Sequence, residues 1–401
     1  MHDEVVAYQA RRCGDGIAPL EYQNTREHAE EKSYNHFARR NRAHDGKNDG
    51  QDRPKTQMLD GLHSRPLYGK RGLSQAKFLD PSNVSALEQY AKRQNFLTPT
   101  ETLVSATKAG EGNMNLTLRL TTDTRTLILK QARPWVEKYP QIPAPDSRAL
   151  VEIAFYEITA KRRTLRDAMP KLLASDSEAR VLVLEDLGVA RDFTSLYAGE
   201  RLADTDLEAL VSYLAVLHQP WNELPRIFAN REMRALNHEH IFRLPLAPNN
   251  GIGLDGFTPG LQAVAETLKN DFGYVERVAE LGELYLSDGA SLVHGDYFPG
   301  SWLRTPDGVR IIDPEFCFVG PAAFDVGVMV GHLYLANHSE ELTERVISSY
   351  GADVGTAALA RQFAGVEIMR RLIGVAQLPL DIGIETKIAL VELSRKLVLS
   401  A

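Results

Sequence analysis

The spacing of apolar residues divides the chain into three parts. Residues 1–78 carry charges of both signs and few aliphatic side chains, and no apolar repeat there is longer than a few residues. Such a segment cannot offset by burial the entropy that is lost on ordering, so we predict that it is disordered. Residues 79–187 contain strand-like segments, whereas residues 188–401 mainly follow the helical period of 3.6 residues.

The second part is predicted to begin with a helix and to continue as a sheet. Capping residues and helical spacing over residues 80–91 predict the first helix. Gly-rich or polar turns separate short apolar segments that predict antiparallel strands at residues 103–109, 116–120, 126–129 and 181–185. An amphipathic helix over residues 147–158 precedes the last of these strands.

The third part is predicted to be mainly helical, so the chain as a whole has the pattern of an α+β protein. Thr205 and Glu208 form a capping-box sequence, which predicts the start of a helix over residues 207–218. His218 at its end is interpreted as a capping or packing residue rather than a catalyst. Further helices are predicted at residues 261–286, 328–335, 342–350, 357–375 and 384–399.

Two carboxylate-bearing loops stand at the centre of this third part. Asp296 lies in a Gly-bracketed loop after an apolar lead-in, and Asp313 and Glu315 follow a β-branched segment at residues 309–312. The Pro-Asp-Gly turn between them predicts a hairpin that brings Asp296 and Asp313 into one site. Phosphoryl transfer needs a carboxylate to orient the attacking hydroxyl and further oxygens to hold Mg²⁺. If residues 313–315 are extended, both of their carboxylates project to the same side.

Other residues of the second part are compatible with binding of nucleotide phosphates. The turn from Gly110 to Asn113 fits either an ordinary hairpin or a loop that covers phosphates with backbone N–H groups. Lys130 ends the third strand, where kinase-like folds place a phosphate-binding lysine, although a lysine there can also be a surface side chain. Glu152 on the following helix is the candidate ion-pair partner of Lys130, with Glu157 as the alternative.

Composition and charge restrict the classes of function. The 401 residues are 43% hydrophobic and 25% charged, with a formal net charge of −7, which argues against a general nucleic-acid binder. Apolar runs are too short for a membrane span and the N-terminus is polar, so we expect a cytoplasmic protein with no membrane partner. Two cysteines cannot build a disulfide framework, and Cys317 is interpreted as a small buried residue.

Taken together, these motifs resemble the methylthioribose kinase branch of the aminoglycoside phosphotransferase and protein-kinase-like superfamily. The resemblance runs from about residue 79 to the C-terminus. It implies a bilobal fold with an N-terminal antiparallel sheet lobe, residues 79–187, and a larger helical lobe, residues 188–401. It rests on six matching segments, at residues 110–115, 129–132, 185–187, 294–301, 313–316 and 370–371.

The resemblance also implies a role for each matching residue, with ATP and Mg²⁺ as cofactors and a small-molecule acceptor. Asp296 looks like the catalytic base, and Arg370 and Arg371 look like the arginine pair that engages the sugar or the transferred phosphoryl group. Because neighbouring residues point about 100° apart on a helix, at most one of the arginines is expected to lie squarely on the apolar face. The implied nucleotide contacts are Asn113, Lys130 with its partner Glu152, and the hinge residues Glu185, Asp186 and Leu187, whose main chain would bind adenine. The implied metal ligands are Asp313, Glu315 and Ser301.

Some positions depart from the family pattern and leave alternatives open. The catalytic loop continues Tyr297-Phe-Pro-Gly, where methylthioribose kinases usually have Leu-His-Thr-Gly, and Pro299 is the residue that the aminoglycoside branch has. Ser301 stands where protein kinases have a metal-binding Asn. Asp325 is expected to brace the backbone of the catalytic loop. The alternatives are a kinase of another sugar, an amino alcohol or an aminoglycoside, and a non-catalytic nucleotide-binding relative; a homodimer is also left open.

Overall fold

The structure, a computed structural model, describes residues 78–110, 112, 114–378 and 380–400. The predicted disorder of the N-terminal segment and the candidate nucleotide contact Asn113 lie outside these residues. The described chain has a sheet-containing part followed by a larger helical part, which confirms the predicted bilobal α+β architecture.

An antiparallel five-stranded sheet forms the first lobe, with helix α1 (Val84–Arg93) packed on one face. Its strands follow the order β1 (Leu103–Lys108), β2 (Leu116–Thr122), β3 (Thr126–Gln131), β7 (Val181–Glu185) and β6 (Leu172–Asp176). They agree with the predicted segments apart from the additional edge strand β6. A short hairpin and helices α2 (Arg148–Thr159) and α3 (Arg163–Asp167) connect β3 to β6. The short hairpin consists of β4 (Trp135–Val136) and β5 (Tyr139–Pro143), which pair with each other and not with the five-stranded sheet.

Strand β7 is buried on both faces and so separates two apolar cores. Val181 and Val183 pack with α1, whereas Leu182 and Leu184 belong to the larger core that contains α2 and the second lobe. Lys130 of β3 is paired with Leu182 across the ladder. Because cross-strand partners lie on the same face of a sheet, Lys130 is directed toward the second lobe.

The second lobe contains most of the helices and two small sheets. Strand β8 (Arg191–Asp192) pairs with a hairpin, and β9 (Ser291–Val293) pairs with β12 (Phe318–Gly320). The hairpin of β10 (Trp302–Thr305) and β11 (Gly308–Ile311) confirms the predicted turn. The helices are α4 (Asp204–Leu217), α5 (Arg231–His238), α6 (Leu261–Lys269), α7 (Phe272–Leu286), α8 (Ala323–Leu335), α9 (Glu340–Tyr350), α10 (Val354–Ile373) and α11 (Ile384–Leu399).

Several of the predicted helix boundaries are wrong, including the start of α8, which begins at Ala323 rather than at residue 328. The predicted capping box does not form, because α4 already begins at Asp204 and its N-cap, Ala203, has no side-chain acceptor. The single helix predicted over residues 261–286 is two helices, and the Asp271 carboxylate accepts the N–H of Tyr274 to start the second. An Asp in an apolar helical pattern can start a new helix as well as interrupt the old one.

Helices α8 and α10 make the closest helix contact near the site. A Cβ atom on Gly327 would lie 2.5 Å from Cβ of Phe363, and one on Gly331 would lie 2.9 Å from Cβ of Glu367. Glycine at these two positions, four residues apart on α8, therefore lets α10 approach closely. Elsewhere, a search of the described helices finds none with the length and apolar character needed to cross a bilayer.

Candidate active site

The loop that carries Asp296 is held by a buried aspartate behind it. The Asp325 carboxylate of α8 accepts the backbone N–H groups of His294 at 2.6 Å and of Gly295 at 2.9 Å. Gly295 has φ of +84°, and a Cβ there would lie 2.2 Å from the carbonyl oxygen of Phe316. His218 supports Asp325 through Nε2 at 3.1 Å. The bracing role predicted for Asp325 and the packing role of His218 are confirmed.

Hydrogen bonds also join this loop to the loop that carries Asp313. His294 Nε2 donates to the carbonyl of Ile312 at 3.0 Å, and the N–H of Ile312 donates to the carbonyl of Ser301 at 3.0 Å. The Ser301 hydroxyl donates to the carbonyl oxygen of Asp296 at 2.9 Å. In this structure Ser301 therefore fixes the catalytic loop, and metal binding by its hydroxyl stays a prediction.

Both arginines of α10 reach Asp296, although neighbouring helical positions point about 100° apart. The Nη2 atoms of Arg370 and Arg371 each lie 3.7 Å from Asp296 Oδ1. Both guanidinium groups also bind Glu367, one turn earlier on the same helix. Arginine side chains are long enough to converge on a shared carboxylate from different helix faces. Burial raises the pKa of the Asp296 carboxyl, although the charges of Arg371 and Arg370 oppose that rise.

Lys130 links the sheet, helix α2 and the Asp313 loop. Its Nζ lies 2.6 Å from Glu152 Oε1 and 2.7 Å from Asp313 Oδ1, and its side chain is buried. Burial alone would lower the pKa of Lys130, but the charges of Asp313 and Glu152 raise that pKa well above its usual value. Glu157 is exposed, so the alternative partner of Lys130 is wrong.

The two carboxylates proposed for metal binding face different surroundings. Asp313 has φ of +62° and precedes a 3₁₀ turn, so the expectation of an extended segment is wrong. The Asp313 side chain is 43% exposed, whereas Glu315 is buried and its Oε2 lies 3.0 Å from Asn115 Nδ2 and 3.1 Å from Arg148 Nε. Within the part of the chain that is described, no three acidic, His or Cys side chains cluster as metal ligands.

This arrangement fits Mg²⁺ bound together with a nucleotide. Mg²⁺ in kinases usually takes one or two carboxylates and completes its octahedral shell with phosphate oxygens and water. Asp313 provides a carboxylate that is open to such a ligand, and Glu315 lies two residues further along the same loop. The bound ion would offset phosphate charge, while Lys130 and Arg148 hold the carboxylates in place.

Asn115 and Arg148 were missed in the sequence. Arg148 is fully buried in the first turn of α2, and its guanidinium donates to the side chain of Asn115 and to backbone carbonyls of Met114, Arg133 and Pro145. A cation in the first turn opposes the helix dipole, which favours negative charge there. That position was the one sequence signal that Arg148 serves another purpose.

The side chains of the predicted hinge are occupied by neighbouring groups. Arg119 of β2 binds the Asp186 carboxylate at 2.7 Å, and Glu185 accepts the N–H of Lys171 at 3.2 Å. Leu187 is half-buried in the irregular stretch after β7. Contact between adenine and the main chain of this stretch stays a prediction.

One aromatic residue of the catalytic loop faces the site. Tyr297 is buried and stacks on Tyr213, and Trp302 is buried against Phe193, so neither is available to a substrate. Phe298 is half-buried, and the Arg371 guanidinium lies 4.9 Å from its ring centroid. Phe298 therefore provides an apolar surface beside the arginines.

Sequence comparisons identify relatives of this chain. The sequence model of the phosphotransferase enzyme family, APH, matches residues 105–362. A methylthioribose kinase of Exiguobacterium sibiricum is 29% identical over 254 residues, which are 59% of this chain and 62% of that protein. Another from Geobacillus sp. is 27% identical over 340 residues, covering 73% of this chain and 83% of that protein.

Two solved structures are similar over most of this chain. A spectinomycin phosphotransferase in complex with ADP and spectinomycin is 13% identical and covers 78% of this chain and 98% of that one, with a TM-score of 0.48. A choline kinase from Streptococcus pneumoniae is 16% identical and covers 79% of this chain and 100% of that one, with a TM-score of 0.44.

Proposed function

The chain belongs to the phosphotransferase enzyme family and is an ATP-dependent kinase that acts on a hydroxyl group, and we propose that its acceptor is the anomeric hydroxyl of 5-methylthioribose. Such a reaction would place it in methionine salvage. The observation that carries the proposal is the convergence of Arg370 and Arg371 on Asp296.

Each side of the site has a part in the proposed reaction. Asp296 orients the acceptor hydroxyl and takes its proton, and Lys130, held by Glu152, contacts the nucleotide phosphates. Asp313 and Glu315 would hold Mg²⁺, which would offset the charge of the phosphates. Asn113 and the main chain of the hinge at residues 185–187 are proposed as further nucleotide contacts.

The charge of the acceptor side favours a neutral, hydroxyl-rich acceptor. Two arginines next to Asp296 repel cationic amines such as choline or an aminoglycoside, and they attract the phosphoryl group once it is transferred. Phe298 offers an apolar surface for a thiomethyl group beside them. These features support methylthioribose over the amine acceptors.

A panel of acceptors tests the proposal. Coupled release of ADP is measured with methylthioribose, choline, homoserine, a fructosamine and kanamycin at equal concentrations. We expect methylthioribose to have the highest kcat/KM, and we expect that value to fall by about 100-fold when both Arg370 and Arg371 are replaced with Met. Preference for any of the amines would contradict the acceptor while leaving the kinase activity standing.

The metal ligands are tested by Asp313→Ala and Glu315→Ala. Each removes one carboxylate from the proposed Mg²⁺ site, so we expect the Mg²⁺ concentration for half-maximal activity to rise about tenfold or more. Binding of Mn²⁺ with ADP, followed by paramagnetic resonance, gives a readout that does not depend on turnover. Asp307→Ala is the matched control, because Asp307 is an exposed carboxylate at the tip of the β10–β11 hairpin. Unchanged metal dependence in Glu315→Ala would exclude Glu315 as a ligand.

A further inference from the structure

We propose that Glu367 is a positioning residue that holds Arg370 and Arg371 in the orientation the acceptor requires. The inference rests on the proposed function insofar as the two arginines face the acceptor. Glu367 precedes the two arginines by three and four residues on α10.

The Glu367 carboxylate binds both guanidinium groups. Arg370 Nε lies 2.5 Å from Glu367 Oε2, and Arg371 Nε lies 2.9 Å from Glu367 Oε1. A guanidinium is planar and rigid, so fixing Nε restricts the direction of its terminal nitrogens. In both arginines Nη2 then lies 3.7 Å from Asp296 Oδ1. Glu367 therefore sets the approach of both arginines to the proposed base.

Glu367 is itself held in place by His332, which in turn binds Tyr197. His332 Nε2 lies 2.7 Å from Glu367 Oε1, and the Tyr197 hydroxyl lies 2.6 Å from His332 Nδ1. Since a carboxylate can only accept, His332 donates from Nε2, and its Nδ1 accepts from Tyr197 when the ring is neutral. Burial lowers the pKa of His332 to about 4, which keeps the ring neutral near pH 7.

Close packing of α8 and α10 places Glu367 beside His332. Both residues are buried, and Gly331 precedes His332 on α8. A side chain at Gly331 would meet both Cβ and Cγ of Glu367, at 2.9 and 3.2 Å. The glycine thus brings the two helices close enough for the His332–Glu367 contact. The carboxylate is fixed by the fold before any acceptor is bound.

Glu367 also balances the charge of the two arginines. Two arginines face two carboxylates, Asp296 and Glu367, and burial makes an unpaired charge costly. Without the charge of Glu367, both guanidinium groups would compete for Asp296, the group that must receive the acceptor hydroxyl. Glu367 therefore also keeps Asp296 available to the acceptor.

The variant Glu367→Gln tests the proposal through a thermodynamic cycle. It is combined with the double variant Arg370→Met/Arg371→Met, and kcat/KM is measured with whichever acceptor of the panel is turned over. We expect Glu367→Gln to lower kcat/KM for the acceptor by about 30-fold, with the KM for ATP unchanged. If Glu367 acts through the arginines, adding Glu367→Gln to the double Met variant should change kcat/KM by less than about twofold. Effects that multiply would show that Glu367 acts independently and would overturn the proposal.

A second readout needs no acceptor, so its failure is distinct from failure of the proposed function. Arginine Nε–H groups that donate to a buried carboxylate give proton–nitrogen NMR signals protected from exchange with water. Arg370→Met and Arg371→Met assign the two signals. We expect both to shift and to lose protection in Glu367→Gln. Unchanged signals in that variant would contradict the positioning role whatever the acceptor is.

Two further variants guard against a general loss of structure. Tyr197→Phe removes only the hydroxyl that binds His332, and we expect it to lower kcat/KM by about threefold with an unchanged melting temperature. Glu344→Gln is the matched control, because Glu344 binds Arg361 of the same helix α10 and both side chains are partly exposed. We expect it to leave both readouts unchanged. Loss of activity in Glu344→Gln equal to that in Glu367→Gln would point to helix stability rather than to positioning.

Discussion

Replacing Asp296 with Asn should reduce kcat by about a thousandfold while leaving ATP affinity close to that of the unmodified protein. The amide copies the shape of the carboxylate but cannot accept the proton of the acceptor hydroxyl. The Asp296 side chain lies beside the arginines of α10, whereas the proposed phosphate contacts are on the side of Lys130 and Asp313. Fluorescence titration with a nucleotide analogue and coupled ADP release separate the two effects.

The pH profile provides an independent check on the same group. Burial raises the pKa of Asp296, and a base is active only when it is deprotonated. Activity should therefore fall with decreasing pH at a value above about 4, the ordinary range for Asp, and this acidic limb should be absent from the residual activity of Asp296→Asn. Asp288→Asn, at an exposed position before β9, serves as the control. Parallel loss of ATP affinity and turnover in Asp296→Asn would indicate a structural role.

Features set by local chemistry were predictable from the sequence. The Pro-Asp-Gly turn formed the expected hairpin, and the alternation of β3 placed Lys130 on the face where Glu152 meets it. Both depend on short-range rules of turn geometry and strand period. The pairing of loops around Asp296 and Asp313 followed from that hairpin.

Features that depend on long side chains and on helix packing were not predictable. A helical wheel separates Arg370 from Arg371, but both bend toward Glu367, and Glu367 is placed by the close approach of α8 and α10. Similarly, Arg148 reaches Glu315 because several backbone carbonyls surround its guanidinium. The direction of a flexible charged side chain is decided by partners that are distant in sequence, and the apolar period carries no information about them.

The second large effect is expected for Lys130→Met, which removes a buried charge from between carboxylates. Glu152 is fully buried, and its Oε2 has no hydrogen-bond partner among the described residues, so Lys130 is the group that compensates its charge. Breaking a buried pair from one side costs about 3–5 kcal/mol, and we expect the free energy of unfolding to fall by that amount. Turnover should fall below detection because the phosphate contact is lost as well. Urea unfolding and coupled ADP release measure the two losses.

The control for this variant is Lys92→Met on α1. Lys92 Nζ also lies 2.6 Å from a glutamate, Glu88, but both side chains of that pair are partly exposed to solvent. Exposed pairs contribute about 0–1 kcal/mol, so Lys92→Met should leave stability and turnover nearly unchanged. Equal losses of stability in Lys92→Met and Lys130→Met would mean that burial does not determine the cost of breaking an ion pair.

A compensating substitution separates the structural role of Lys130 from its catalytic role. Leu in place of Glu152 removes the uncompensated carboxylate, so the double variant Lys130→Met/Glu152→Leu should regain most of the lost stability and none of the activity. In Lys130→Met alone, the pKa of Glu152 is raised by burial without the opposing lysine charge. The folded state then binds a proton more readily than the unfolded state, so the stability of the single variant should increase as the pH falls. A double variant that recovers turnover would show that Lys130 has no direct part in phosphoryl transfer.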